Sequence, residues 1–168
     1  MTTPDSIVTS DTFRHVIGHF ATGVTVITTT TDDGINHGTT ASAVSSLSLT
    51  PPLVLICLNE TSHTCAAVKR SKRFAINILS EDQALIARQF ATKHEHKFHD
   101  IDSRPGSAGL PLLSDALAHI ECGVVDTVTA GTHSIFIGQI LNAHVTPGKG
   151  PLAYYQGHFR LLETNRPG

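Results

Sequence analysis

The apolar positions near the start of the chain repeat with the period of an α-helix. Four of them fall at the spacing i, i+3, i+4, i+7, which places them on one face: Phe13, Val16, Ile17 and Phe20. Ser10 or Asp11 is expected to cap this helix, and Gly23 is expected to close the segment. The preceding residues, 1–10, are predicted to form a loose arm.

After Gly23 the pattern changes to runs of β-branched and apolar residues, which predict strands. "VTVITTTT" is the first, and the D-G pair in "TDDGINHG" predicts a hairpin turn. A second strand is expected from Thr39 to Leu49. Pro51 and Pro52 cannot donate ladder hydrogen bonds and therefore end it. "LVLICL" is then a third strand, apolar on both faces, and "RFAINIL" is a fourth.

Two more helices are predicted in the middle of the chain. "SHTCAAVKR" is a short one, and Ser80 and Gln83 form an S-x-x-Q capping pattern ahead of "ALIARQFA", which should end near Ala91. The polar segment 92–113 contains glycines and prolines and is predicted as a long loop, a feature that often carries function. Three further strands are expected in "LAHIECGVVDTVTA", "HSIFIGQILNAHV" and "GHFRLLE".

The resulting order of about seven strands and three small helices favours an antiparallel barrel. The strands mostly follow one another without crossover helices, which argues against a doubly wound parallel sheet. A chain of 168 residues suits one domain, so residues 1–168 are expected to form a single unit.

Composition limits the possible partners and compartment. Only 15% of the residues are charged, which hints that part of the surface is hidden in an oligomer, and the net charge of −2 does not suggest a nucleic-acid partner. The apolar runs are too short for a membrane span, and no secretory signal is expected. Three cysteines without a C-x-x-C spacing, Cys57, Cys65 and Cys122, indicate reduced thiols in the cytoplasm.

Several common catalytic motifs are absent from the sequence. No G-x-G-x-x-G or G-x-x-x-x-G-K-[ST] pattern occurs, which argues against a Rossmann half or a P-loop. No G-x-S-x-G elbow occurs either. The sequence therefore offers no nucleophile or nucleotide motif of these kinds.

Three polar features allow a functional or an ordinary interpretation. The histidines of "HEHKFH" (residues 94–99) suggest a metal site, but no second ligand pair completes a zinc spacing, so a solvated loop is favoured. "KRSKR" (residues 69–73) could attract phosphate, but the end of a helix explains its charges. Glu121 lies in an apolar strand, and the alternation of that strand predicts that it faces out.

Two stretches remain open between a ligand site and an ordinary strand. In "GTTASAVSSLSLTPP" hydroxyls alternate with apolar residues, and hydroxyls and N–H groups at a strand end can cradle a phosphate. The same pattern suits an edge strand with a polar solvent face. His133 follows a Gly-Thr turn at a strand mouth, where it is either a polar edge residue or a ligand contact at the end of a barrel.

Taken in order, segments covering residues 13–162 resemble the short-chain flavin reductases, the reductase components of two-component flavin-dependent monooxygenases. Each segment is weak alone, and the resemblance rests on their order. The segments are "FRHVIGHFATGVTVIT", "TTASAVSSLSLTPPLVLICL", "TSHTCAAVKRSKRFAINIL", "QALIARQFA", "GLPLL", "IECGV", "AGTHSIFIGQI" and "PLAYYQGHFRLL".

The resemblance implies a mainly β fold, an antiparallel Greek-key split β-barrel with a few short helices, usually a homodimer. It implies an NAD(P)H:flavin oxidoreductase that reduces FMN or FAD with NADH or NADPH and supplies diffusible reduced flavin to a partner monooxygenase. A tightly flavin-bound oxidase or electron carrier, and a non-enzymatic flavin-binding barrel, are the alternatives. The protein is expected to be cytoplasmic, with no metal.

Site residues follow from the resemblance by position. His133 is the residue expected on the nicotinamide side, although Thr132 stands where the family's G-D-H motif has its acid. Ala43 and Val44 depart from the family's S-S-F pattern, which affects flavin preference. The residues implied in flavin binding are Thr25, Thr40, Ala41, Ser42, Ala43, Ser46, Cys57, Leu58, Asn59, Ser62, Thr64, Phe90 and Ala91.

Overall fold

The computed structural model describes residues 8–163, which form twelve strands and three helices. The helices are α1 (Ser10–Ile17), α2 (His63–Ser71) and α3 (Ala84–Ala91). The strands are β1 (Thr22–Gly23), β2 (Thr25–Thr30), β3 (Asn36–Ala41), β4 (Val44–Leu49), β5 (Pro52–Asn59), β6 (Arg73–Ile78), β7 (Ser103–Pro105), β8 (Pro111–Leu113), β9 (Ala118–Ala130), β10 (His133–Val145), β11 (Leu152–Tyr155) and β12 (His158–Leu161).

Seven strands form one antiparallel sheet in the order β3-β2-β6-β9-β10-β5-β4. The two edge strands, β3 and β4, are consecutive in the chain and are separated only by Ser42 and Ala43. The sheet must therefore curl until its edges approach each other at this junction, where the Cys57 N–H donates to the Ala43 carbonyl over 3.0 Å. The result is a split antiparallel barrel, as predicted.

The single strand predicted from Thr39 to Leu49 is wrong. Its first residues belong to β3 and its last residues to β4, on opposite edges of the sheet. Residue propensity cannot reveal this break, because every residue of the segment suits a strand. The break results from closure of the barrel, which depends on partners distant in sequence.

The buried apolar residues form two clusters, which lie on opposite faces of β2. Ile27 of β2 points into the first cluster, and its neighbour Val26 points into the second, so β2 is buried on both faces. Burying side chains of this size stabilises a fold by about 1.5–3 kcal/mol each. The first cluster includes Ile56, Phe74, Ile76 and Phe136, and the second includes Leu79, Phe90, Leu113 and Leu152.

Helix α1 has no buried residue, so the apolar face predicted from its periodicity is exposed to solvent in the single chain. Thr9 caps the helix through a hydrogen bond from the Thr12 N–H, instead of the expected Ser10 or Asp11, and Gly18 ends it. Residues 1–7 of the predicted arm lie outside the described residues, and Ser10 already belongs to the helix. Within residues 8–163, no helix is long and apolar enough to cross a membrane.

The long segment 92–113 is not one loop, because it contains the hairpin β7–β8. Glu121 of β9 anchors this hairpin: its carboxylate accepts hydrogen bonds from Ser107 N, Ser107 Oγ, Ala108 N and Asn142 Nδ2. The prediction that Glu121 faces out is therefore wrong, and its exposed fraction is only 1%. Burial alone would raise the pKa of Glu121, but these donors outweigh it and lower the pKa.

Candidate functional site

Several of the sequence-predicted residues lie near the point where the two barrel edges approach each other. The junction of Ser42 and Ala43 contacts the end of β5 through the Cys57 N–H. From there the chain turns into α2, where the Ser62 N–H donates to the Asn59 carbonyl. His133 at the start of β10 pairs with Asn59. Three segments distant in sequence (residues 42–43, 57–64 and 133) thus contact one another, and we call this place the junction site.

The hydroxyls of Thr25 and Thr40 are engaged with the protein itself. Thr25 Oγ1 donates to the Ala41 carbonyl over 2.6 Å, and Thr40 Oγ1 donates to the Ala87 carbonyl, also over 2.6 Å. These bonds fix the end of β3 against β2 and α3. Ser42 is exposed, as is Ala43 after it, so the junction itself presents small side chains and main chain to a ligand.

The N-terminus of α2 lies at one end of the junction site. Ser62 Oγ accepts hydrogen bonds from Thr64 N at 3.2 Å and Cys65 N at 3.5 Å. Asn59 Oδ1 accepts from Thr61 N at 2.9 Å and from Thr61 Oγ1 at 2.8 Å, which fixes the turn before the helix. The positive end of the helix dipole favours an anion such as phosphate at this place.

Two of the predicted flavin contacts fall away from the junction. The Phe90 side chain is fully buried in the second core cluster, edge-to-face with Phe98 at a centroid distance of 5.0 Å. A Cβ on Gly38 would come within 2.5 Å of that ring, so the packing is tight. The Phe90 ring therefore faces the core, whereas Ala91 after it is exposed. Ser46 is exposed on β4, paired with Val54.

His133 is exposed at the mouth of β10. Its Nδ1 lies 2.9 Å from Thr132 Oγ1, so the threonine that replaces the family's acid contacts the imidazole directly. Gly131 supplies the turn before it with a φ of 59°, in the left-handed region that favours glycine. The turn thus presents an unburied imidazole next to Asn59 of β5.

The three cysteines are free thiols, and burial raises the pKa of each of them. For Cys122 the pKa rises to about 12. Cys57 lies at the junction site, but a protonated, half-buried thiol is a poor nucleophile. Its contribution to the site is therefore its backbone and its packing.

One group at the site was missed by sequence reasoning. Glu60, between Asn59 and the α2 cap, accepts hydrogen bonds from Lys69 Nζ and from Ser134 Oγ. Lys69 belongs to the basic "KRSKR" run, whose charge is thus partly neutralised inside the protein. The spacing of Glu60 and Lys69 matches no helical or strand repeat, so no sequence signal could have revealed the pair.

The junction site fits a flat cofactor with a phosphate tail. Small exposed residues at Ser42 and Ala43 allow close approach to the main chain, and the α2 N-terminus suits the anion. In the described part of the chain no group of three or more His, Cys, Asp or Glu is placed to hold a metal ion. The groups at the site are main-chain dipoles, hydroxyls, the His133 imidazole and the Glu60–Lys69 pair, and they can bind and orient a ligand.

Comparison with known proteins finds flavin reductases in sequence and in structure. The family model described as "Flavin reductase like domain" matches residues 17–163. The reductase component of 4-nitrophenol 4-monooxygenase/4-nitrocatechol 2-monooxygenase from Rhodococcus opacus is 48% identical over 147 residues, which are 88% of this chain and 78% of that protein. "Flavin reductase (NADH)" from Kitasatospora aureofaciens is 39% identical, covering 89% of this chain and 80% of that protein.

The fold is also similar to that of a solved flavin oxidoreductase. The NADH:FAD oxidoreductase SgcE6 of Streptomyces globisporus, in complex with NAD and FAD fragments, superposes with a TM-score of 0.88 at 33% identity and covers 92% of this chain and 93% of that one. The family match spans the barrel, the junction site and His133 together. This chain therefore belongs to the flavin reductase family.

Proposed function

We propose that this protein is an NADH-dependent flavin reductase that supplies reduced flavin to a separate monooxygenase. The observation that supports the proposal is the junction site, where three segments distant in sequence contact one another. The relatives named as reductase components of monooxygenases support the second half of the proposal.

Flavin, when bound, accepts a hydride from a reduced nicotinamide. The protein's task is to bind and orient the two partners and to exclude water. Ser42 and Ala43 would hold the flat ring through main-chain groups, and Ser62 and Thr64 would hold the phosphate at the α2 N-terminus. His133 would contact the nicotinamide. Hydride transfer needs no acid or base from the protein, so the protonated thiols of the site are compatible with it.

NADH is the proposed donor because relatives carry NADH in their names. The relatives name both FMN and FAD, so the proposal extends to either flavin. Reducing conditions in the cytoplasm suit the three free thiols, and we place the protein there.

The working form is proposed to be a homodimer. The exposed apolar surface of α1 and the turn after it is large for a single chain: Phe13, Val16 and Ile17 of α1 and Phe20 beyond its end are 60%, 65%, 52% and 71% exposed. Contiguous apolar surface of this kind marks an interaction site. The junction site is also an open surface in one chain, and a second copy would help to enclose it.

The direct experiment follows the loss of NADH absorbance with purified protein and either FMN or FAD, and repeats both with NADPH. Flavin-dependent NADH consumption is the expected result. Consumption with none of the four pairs would overturn the proposal. A protein that purifies yellow and keeps its flavin through dialysis would instead be a flavin-bound carrier, and flavin binding without turnover would indicate a storage or regulatory barrel.

A further inference from the structure

Glu60 connects the two ends of the junction site. It follows the last residue of β5 and precedes the α2 cap Ser62. Its carboxylate accepts Lys69 Nζ on both oxygens, at 2.8 Å and 2.6 Å, and the Ser134 hydroxyl donates to Oε1. One side chain thus joins α2, through Lys69, to β10, through Ser134.

The contacts of Glu60 lie on both sides of His133. The Glu60 N–H donates to the Thr132 carbonyl over 3.0 Å, while the carboxylate holds Ser134. Ser134 is fully buried, so its hydroxyl requires a partner inside the protein. Glu60 therefore fixes the residue before and the residue after the exposed imidazole.

Lys69 keeps the Glu60 carboxylate in this position. The two side chains are about one-third exposed, and Lys69 offers the carboxylate a charged partner at its α2 side. The hydrogen bond between them lowers the pKa of Glu60 and raises the pKa of Lys69, so both remain ionised at neutral pH. A charged acceptor holds the Ser134 hydroxyl more strongly than a neutral one would.

The phosphate end of the site has bonds of its own. Asn59 Oδ1 fixes the Thr61 N–H, and Ser62 Oγ caps α2, without any atom of the Glu60 side chain. Loss of the carboxylate should therefore disturb His133 more than the α2 N-terminus.

We propose that Glu60 is a positioning residue that, with Lys69 and Ser134, holds His133 in place for the nicotinamide. This inference rests on the proposed function of the junction site, because it names the side chain that orients the residue expected to contact NADH. Glu60 itself would touch neither the nicotinamide nor the flavin.

The first test is Glu60→Gln, which keeps the shape but removes the charge and one acceptor oxygen. We expect the KM for NADH to rise about three- to tenfold, the scale of one ordinary hydrogen bond, with the flavin Kd changed less than about twofold. Ser134→Ala, which removes the donor and leaves the ion pair, should give the same pattern. Asp82→Asn is the matched control, because it breaks the 3.1 Å Lys149–Asp82 pair away from the site. Equal changes in both constants, or no change, would overturn the inference.

The second test combines Glu60→Gln with His133→Ala. If Glu60 acts through His133, it has nothing to position once the imidazole is gone, so the double variant should have the KM for NADH of His133→Ala alone. A KM for NADH raised by the product of the two single effects would contradict the positioning role.

A third readout does not depend on turnover. The imidazole NMR signals of His133, identified by their loss in His133→Ala, should shift in Glu60→Gln and in Ser134→Ala but not in Asp82→Asn. Unshifted signals in folded Glu60→Gln would overturn the inference. A wild-type protein without NADH consumption but with these shifts would contradict the proposed function and leave the positioning role standing.

Discussion

At the scale of single residues, the exposed imidazole of His133 is the most testable part of the site. His133→Ala should raise the KM for NADH about five- to tenfold, equivalent to about 1–1.5 kcal/mol, because one hydrogen bond or ring contact is lost. Flavin affinity should change little, since the junction of Ser42 and Ala43 is untouched. Steady-state kinetics with a flavin-binding titration measures both.

The control for this substitution is His99→Ala, an exposed histidine in the segment after α3 whose imidazole lies 3.2 Å from the Asp100 carboxylate. It should leave both constants unchanged. Equal losses of NADH and flavin affinity in His133→Ala would argue that the residue supports the whole site instead of the nicotinamide side.

Ser42 tests the flavin side. Ser42→Glu places a bulky anion at the junction, and a flavin that covered it would bury an unpaired charge, which costs several kcal/mol. Flavin binding should weaken at least about 100-fold by fluorescence titration. Gln139→Glu, an equal change of charge on an exposed position of β10, is the control. Unchanged flavin affinity in a folded Ser42→Glu would show that the pocket lies elsewhere.

The site residues that belong to short local motifs could be predicted from the sequence. Ser62 and Thr64 begin a helix whose cap is readable from the residues themselves. The burial of the Phe90 ring was not predicted, because motif position does not report side-chain direction, which is decided by packing against Gly38 and Phe98. Glu60 was missed because its partners are distant in sequence.

At the scale of elements, Glu121 holds the β7–β8 hairpin on the barrel. A carboxyl whose pKa is lowered by folding binds protons more readily in the unfolded chain, so it stabilises the fold above its ordinary pKa. That stabilisation disappears as the pH falls through the lowered pKa. The sign follows from the donors on Ser107, Ala108 and Asn142, which bond more strongly to the ionised carboxylate than to the protonated one.

Glu121→Gln should therefore lower the free energy of unfolding by roughly 1–3 kcal/mol at neutral pH, because some of these donors lose their acceptor. The difference from the wild type should shrink in acid, where the wild-type carboxylate is also lost. Denaturant unfolding at several pH values measures this. The exposed Glu163→Gln serves as the control, and a difference that stays constant in acid would contradict the account.

Most elements were readable from periodicity and turn chemistry. α2 and β6 lie where the sequence predicts them, and the D-G hairpin forms with Gly34 at a φ of 80°. The division of β3 from β4 and the burial of Glu121 were not readable. The first follows from the closing of the barrel and the second from the packing of the β7–β8 hairpin on β9, and both involve residues apart in the chain.

At the scale of the whole molecule, the unburied face of α1 predicts the assembly. A helix of eight residues is marginal alone, so its apolar face should be covered by a second chain. The protein should elute with twice the mass of one chain in size-exclusion chromatography with light scattering. Val16→Glu should shift it toward the monomer, and Glu95→Lys in the segment after α3 should not. A monomeric wild type would contradict this.

The central claim is that the protein reduces flavin catalytically and releases it. Mixing a small amount of enzyme with excess NADH and excess free flavin, without oxygen, measures this as loss of the flavin's visible absorbance. We predict that each enzyme molecule bleaches many equivalents of flavin, and that Ser42→Glu does so more slowly than the wild type. Bleaching that stops at one equivalent, or none at all, would contradict it.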